Sequence, residues 1–444
     1  MSAARTAYAP QPLSKEEAGG AFFWLCAFFF VYCARPEDWV PGLNLFPLAK
    51  ITGIIALLAL LNSLGRTRRQ LKDLPLEWNY LVAMIGVLAL SAVLSPVWKG
   101  GAIGHTINFS KVLVAWALTF LLVTTFGRLR RIIFIQSASV VVICIMSLLK
   151  GGNRPRLEGV IGGIYSNPND LAFAVVLVLP FCLAFMLTAK NMLIRLVWIG
   201  GMLIMLLTLL KTASRAGFID LVISGAVVLW HFGVRGKRMT LLIGTAFASV
   251  MLLIVAGGPL IVRMEAVAGR GDTKEEAMAY ESFEQRKYLM ERAVDCIEHY
   301  PILGIGARNF EVYSLVWREV HMTYLQIATE GGIPSLILYL LFFARGFKNL
   351  RMLRKRKDLD VHTTLFVGGL HSSMIGFIVG ASFAPEVFQF FPYFSVAYTS
   401  ALVATIAEQE GTAQPVVERA AVRTGTRFWD RVNARRPDTV PLAR

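Results

Sequence analysis

Arginine, lysine and histidine stand at four places in this chain whose types and spacing could do chemistry. Lys211 and Arg215 flank the turn "KTASRAG", and Arg154 and Arg156 lie in "KGGNRPRLEGVIGGIYSNPND". Arg286 sits in a long polar segment, and His321 heads the run "REVHMTYLQIATEGGIP". Guanidinium groups match the paired oxygens of an anion through charge-assisted hydrogen bonds. If the turn after Lys211 is helical, Lys211 and Arg215 share a face, and their repulsion favours an anionic partner. A glycine-rich loop with two arginines ahead of a helix N-terminus suits the cradling of an anion. At a helix start the dipole disfavours imidazolium, which leaves His321 in the protonation state of a general base.

Each group also has a plainer reading. Arg215 suits a snorkelling anchor at a membrane interface. Arg286, among Glu281, Glu284, Lys287 and Glu291, suits a solvated helix face. His321 suits an ordinary interfacial histidine. In "SNPND", Asn167 can cap a helix, Pro168 suits its first position and Asp170 sits where a capping box closes. The residues by themselves leave both sets of readings open.

What must position these groups is a membrane bundle. Of 444 residues, 55% are hydrophobic and only 17% charged, against roughly a quarter charged in soluble chains. The apolar residues fall in blocks of about 20, the length that crosses a hydrocarbon core. The fold class is therefore all-α, a polytopic transmembrane helix bundle within a single integral-membrane domain covering 1–444. Twelve spans are expected, at roughly 20–34, 46–64, 77–95, 106–126, 132–149, 169–187, 191–210, 214–232, 239–258, 321–344, 361–382 and 387–408. The first apolar block lacks a small-residue cleavage site, so no cleavable signal peptide is expected. Five cysteines without paired spacing point to neither a disulfide framework nor a zinc site.

Basic residues orient the bundle. Most of the chain's 45 lysines and arginines fall in the N-terminal tail, in "GRTRRQLKD", "GRLRR", "AKNMLIR", "VRGKR" and "ARGFKNLRMLRKRKD", and in the C-terminal tail. By the positive-inside rule that set is cytoplasmic, with both termini inside. Residues 259–320 then form one large periplasmic loop containing helical segments. Residues 409–444 form a basic cytoplasmic tail, expected to be mobile and to lie near anionic lipid. This distribution accounts for much of the net charge of +16 without nucleic acid. Lys150, Arg154, Arg156, Lys211, Arg215, Arg286 and His321 all fall on the outer side, where basic residues in short loops oppose the usual bias.

Four pieces in order resemble the O-antigen ligase and polysaccharide polymerase superfamily of bacterial membrane glycosyltransferases. They are "RLEGVIGGIYSNPNDLA" at 156–172, "TASRAG" at 212–217, Arg286 ahead of "HYPILGIGARNF" at 299–310, and "HMTYLQIATEGGIPSLILYL" at 321–340. The first five expected spans match only in being hydrophobic. The resemblance implies transfer of a glycan from a polyprenyl-diphosphate carrier to a hydroxyl acceptor at the periplasmic face of the inner membrane. The acceptor would be lipid A-core in a ligase, another repeat unit in a polymerase, or a protein side chain in other relatives. It assigns the functional arginines to Arg215 and Arg286 and the functional histidine to His321. Arg156, with Arg154, Lys211, Asn169 and Tyr324, completes the candidate substrate-binding set. Met322 stands where many relatives have Asn, so no acceptor contact is assigned there. With arginines to neutralise the diphosphate, and no paired-aspartate motif in the outer loops, neither metal nor other cofactor is expected. A transporter is the reading from another class, for which Lys111 and Asp220 inside spans would speak. Transporters usually show related halves and broken helices at mid-membrane, whereas here the polar residues gather at one face.

Overall fold

Backbone N–H and C=O groups inside a bilayer have no water to bond, so an apolar run of membrane length satisfies them internally as a helix. In a computed structural model that describes residues 18–151, 157, 161, 162, 165–256, 258 and 274–410, each expected apolar segment is helical, and no strand occurs among the described residues. In chain order, α1 is Gly19–Ala34, α2 Leu48–Ser63, α3 Leu76–Val93, α4 Lys99–Leu122, α5 Phe126–Gly151, α6 Pro168–Thr188 and α7 Met192–Thr212. Then come α8 Arg215–Leu229, α9 Met239–Ala256, α10 Lys274–His299, the single turn α11 Phe310–Tyr313, α12 Thr323–Lys355 and α13 Val361–Gly380. A final helix, α14, covers 391–410.

Eight of these are long and apolar enough to cross a membrane: α3 to α7, α8 with its continuation to Val234, α12 and α13. The apolar α1 and α2 are shorter, as is the stretch Met239–Met251 of α9. By length and composition, then, eight helices among the described residues qualify where twelve spans are expected from the sequence. The largest departure from the expected boundaries is α12, whose 33 residues run on from the apolar stretch through "ARGFKNLRMLRK". At 1.5 Å per residue its unbroken part, 333–355, is roughly 35 Å long by itself, beyond a hydrocarbon core of about 30 Å. Lysine, arginine, leucine and methionine are good helix formers, so nothing in that basic stretch ends the helix where the apolar run ends. The extension is held to α3: the buried Glu77 carboxylate accepts from Asn349 at 2.8 Å and lies 3.5 Å from Arg345.

The centre of the bundle is α6, the most buried of the candidate spans, packed by α5, α7, α8 and α13. Only a third of the residues on the spans of α7 and α8 are buried in the protein, and the aliphatic side chains left partly or fully exposed form an outer surface suited to lipid. The other side of the molecule packs α12 on α3, α3 on α4, and α1 on α2 and α5. At the base-rich end Arg69 is only 1% exposed. It donates to Glu408 at 2.6 Å, to the carbonyls of Phe120 and Val123 at 2.8 and 2.9 Å, and to Thr405 at 2.8 Å. A guanidinium so fully bonded can be buried without an unmet donor, and it ties the "GRTRRQLKD" loop to α4 and α14.

Of the expected outer loop at 259–320, residues 259–273 fall outside the described set, as does the C-terminal tail from 411. The amphipathic stretch expected in that loop is α10. Its Leu289, Ala293 and Cys296, spaced one helical face apart, bury against Ile305, Phe310 and Val320. These six make a small core of their own, separate from that of the bundle, which fastens the polar segment over α12.

Candidate active site

His321 lies between this small core and the bundle. Val320 on one side is fully buried in the small core. On the other side Thr323, the first residue of α12, is held at both its backbone and its side chain. Its N–H donates to Ala381 O at 2.8 Å, its hydroxyl donates to Ala384 O at 2.6 Å, and the same hydroxyl accepts from Glu386 N–H at 2.9 Å. The imidazole between these anchors has little freedom. Its Nδ1 is buried and has no hydrogen-bond partner among the described residues. Burial, then the charge of Arg286, then that of Arg318 push its pKa from 6.5 down to about 4. His321 is thus neutral at pH 7, with Arg286 of α10 brought within electrostatic reach of it across the small core.

Arg215 occupies the first position of α8 at the other side of the same end. Ala213 turns the chain there in the left-handed region, at φ 49°, and Ser214 caps the helix by accepting from Gly217 N–H at 3.1 Å. The Ser214 hydroxyl also donates to Asn169 Oδ1 at 2.7 Å, which joins "TASRAG" to "SNPND". Gly217 is needed at this joint, since a Cβ there would lie 2.5 Å from the Ala172 Cβ. Asn167 caps α6 by accepting from Asn169 N–H at 2.9 Å, with Pro168 at the first helical position. The helix-start reading therefore holds for Asn167 and Pro168. Asn169 spends both of these groups on the joint. Lys211 closes α7 beside it, and its carbonyl accepts from Leu157 N–H at 3.1 Å. Tyr324 donates its hydroxyl proton to Ile378 O at 2.7 Å. Arg154 and Arg156 lie outside the described residues.

Two glycine pairs hold the arrangement together. In α12 the backbone at Gly332 leaves helical geometry, with φ 75° and ψ 174°, so the helix is broken just before Pro334. The carbonyls of Thr329 and Glu330, freed by the break, accept from Ile305 and Gly306 N–H at 2.9 Å each, and Ile333 N–H donates to Pro301 O at 2.8 Å. A Cβ on Gly332 would lie 2.1 Å from Ile302 O, and one on Gly304 would lie 2.4 Å from Thr329 O. Both glycines also have positive φ, where other residues are strained. "LGIGARNF" and "TEGGIP" are thus two halves of one backbone joint. Ser95 and Asn309 reinforce it: Ser95 donates to Ile305 O at 2.6 Å, and Asn309 donates to Ser95 and to Ile305 O at 2.8 Å.

The joint places a cation that the sequence patterns did not single out. Arg308, at φ 59°, pairs with Glu319 and donates to Glu311 at 3.2 Å, and its charge also reaches Glu386. Glu386 is 3% exposed, and one of its carboxyl oxygens has no partner among the described residues. Burial and the neighbouring Asp170 raise its pKa well above the usual carboxylate range. Asp220, also reaching Glu386, sits five residues along α8 from Arg215 and close against Gly380, which neighbours the Ala381 that anchors Thr323. Arg215, Arg286, Arg308 and His321 accordingly share one end of the bundle. No three metal-ligating side chains come together among the described residues.

A family model described as O-antigen ligase matches residues 200–340. The matched stretch runs from within α7 to within α12 and includes Lys211, Arg215, Arg286, His321, Tyr324 and both halves of the glycine joint. It supports the O-antigen ligase superfamily. Arg154, Arg156 and Asn169 precede it. No curated protein matches the chain.

Proposed function

We propose that the protein is an inner-membrane glycosyltransferase of the O-antigen ligase type, acting at the periplasmic face on a polyprenyl-diphosphate-linked glycan. The observation that carries this reading is the half-buried, neutral His321, whose buried Nδ1 has no partner among the described residues and which lies within the field of Arg286, inside the matched segment. In the reaction an acceptor hydroxyl oxygen bonds to the anomeric carbon as the bond from that carbon to the diphosphate oxygen breaks. The electron pair leaves with the polyprenyl diphosphate, and the acceptor proton goes to His321. Arg215 and Arg286 bind the diphosphate and stabilise its growing charge through paired hydrogen bonds. The carrier's tail stays in lipid, which suits a site at one end of the bundle.

A pKa near 4 makes His321 neutral but a weak base in the empty site. Bound diphosphate would offset the positive charge of Arg286 and raise the proton affinity of the imidazole. The base then strengthens when the donor is present, and the acceptor proton is taken only beside a bound leaving group. The acceptor is a glycan, lipid A-core or protein hydroxyl. The test is release of polyprenyl diphosphate by purified protein given the lipid-linked glycan, with and without acceptor. Release that survives loss of Arg215 and His321 would remove this reading.

A further inference from the structure

At the opposite end of the bundle, a full α6 length away (roughly 30 Å), a cavity of about 580 Å³ opens between α5, α6, α7 and α13. Its walls carry Arg130, Arg131 and Lys190, and no carboxylate among the described residues. Three helices begin there: Gly127 is the second residue of α5, Asn191 caps α7, and His362 is the second residue of α13. Helix N-termini present unpaired N–H groups and the positive end of the dipole, so three starts and three cations bias one cavity toward negative charge. The C-terminus of α6, which also reaches the wall, is occupied: Ala189 O accepts from Arg195 Nε at 2.9 Å. Asp360, just outside, is engaged in capping α13 through Thr363. His362 Nδ1 is buried without a partner among the described residues.

The remaining wall is aromatic and aliphatic. Trp198 stacks on Phe185, with ring centroids 5.0 Å apart, and Phe134 meets both rings edge-on. Arg130 lies over the Phe185 ring at 5.7 Å and bonds Thr188, which holds the guanidinium at the boundary between the charged and apolar parts. Phe134 and Ile194 are about half exposed and continue onto Leu193 and Val197 of α7, which are 69% and 71% exposed. A free anion would use only the charged part. An amphiphile with an anionic head and an acyl tail uses the whole surface, the head among the cations and the tail along α7.

We infer that this cavity is a binding site for the headgroup of an anionic phospholipid. Its chemistry is independent of the transferase reading, since none of its residues belongs to the candidate active site. The test is native mass spectrometry of the purified, delipidated full chain, titrated with phosphatidylglycerol, phosphatidylcholine or inorganic phosphate. Phosphatidylglycerol should bind at least tenfold more tightly than phosphatidylcholine. Lys190→Gln, at an exposed position, should weaken it about fivefold, and Arg131→Gln by a similar factor, while Lys348→Gln on another basic stretch should leave it unchanged. Equal binding of the two lipids would overturn the inference, as would Lys190→Gln and Arg131→Gln both binding like the unaltered chain. An equal loss in Lys348→Gln would assign the effect to diffuse surface charge. Displacement of bound phosphatidylglycerol by millimolar inorganic phosphate would show a site for soluble anions instead.

Discussion

If His321 is the base, the pH dependence of transfer must carry the signature of its surroundings. A base works in its neutral form, so activity is retained above its pKa and lost as pH falls through it. An ordinary histidine would start to fail near pH 6.5. Here burial and two arginines hold the free-enzyme pKa at about 4. Thus kcat/KM, which reports the free enzyme, should stay level from pH 7 to about 5 and fall tenfold per pH unit below 4. The acid limb of kcat reports the donor complex and should lie higher, because the diphosphate opposes Arg286. Arg318→Gln gives a finer test, because Arg318 is the smallest of the three causes. Its removal should move the kcat/KM limb upward by less than about one pH unit, leaving the maximum rate nearly intact. His321→Gln keeps a hydrogen-bonding group but cannot accept the proton, and should lower turnover by about 10²–10⁴. The assay is single-turnover transfer of a labelled lipid-linked glycan from pH 3.5 to 8. A wild-type acid limb at 6.5 would refute the half-buried, arginine-flanked base, and so would the same limb in a fully active His321→Gln.

Three further outcomes follow from other parts of the molecule. Arg215→Lys and Arg286→Lys should each retain little transfer in a folded protein, since lysine keeps the charge and loses the two-pronged hydrogen bonding; near-normal rates would rule out the diphosphate clamp. Gly332→Ala puts a Cβ 2.1 Å from Ile302 O at a positive φ, and should cost at least about 2 kcal/mol. That loss should appear as a lower thermal midpoint in detergent, and an unchanged midpoint would mean that the joint does not hold α12. A single cysteine at 275 should react with an impermeant thiol reagent from the periplasm and one at 355 should not; the reverse pattern would invert the orientation.

The helices were legible in the sequence because each apolar run needs no partner to declare itself. Their ends were less so: α12 continues to Lys355 because good helix formers, not lipid, decide where a helix stops. His321 and the arginines could be picked out by their types and their place beside apolar runs. The glycines of "LGIG" and "EGGIP" each look like a local turn. Only the tertiary structure shows Gly304 against Thr329 and Gly332 against Ile302, and no local pattern contains that pairing. Arg308 is hidden for the same reason, being one basic residue of a polar loop until the joint carries it to Glu319 and Glu386. Asp220, which by sequence could mark a transporter, is 1% exposed and lies with the buried acids at the candidate-site end of the bundle.

The proposal that this chain joins a lipid-linked glycan to a hydroxyl is tested most directly by the covalent product. Purified protein, reconstituted with polyprenyl-diphosphate-linked glycan and offered lipid A-core, free repeat unit and protein acceptors in turn, should yield one glycan–acceptor conjugate detectable by mass spectrometry. An equal amount of free polyprenyl diphosphate should accompany it, and the conjugate should be lost in His321→Ala. Donor that binds but is never transferred to any of these acceptors, or conjugate formed equally well without His321, would contradict the account.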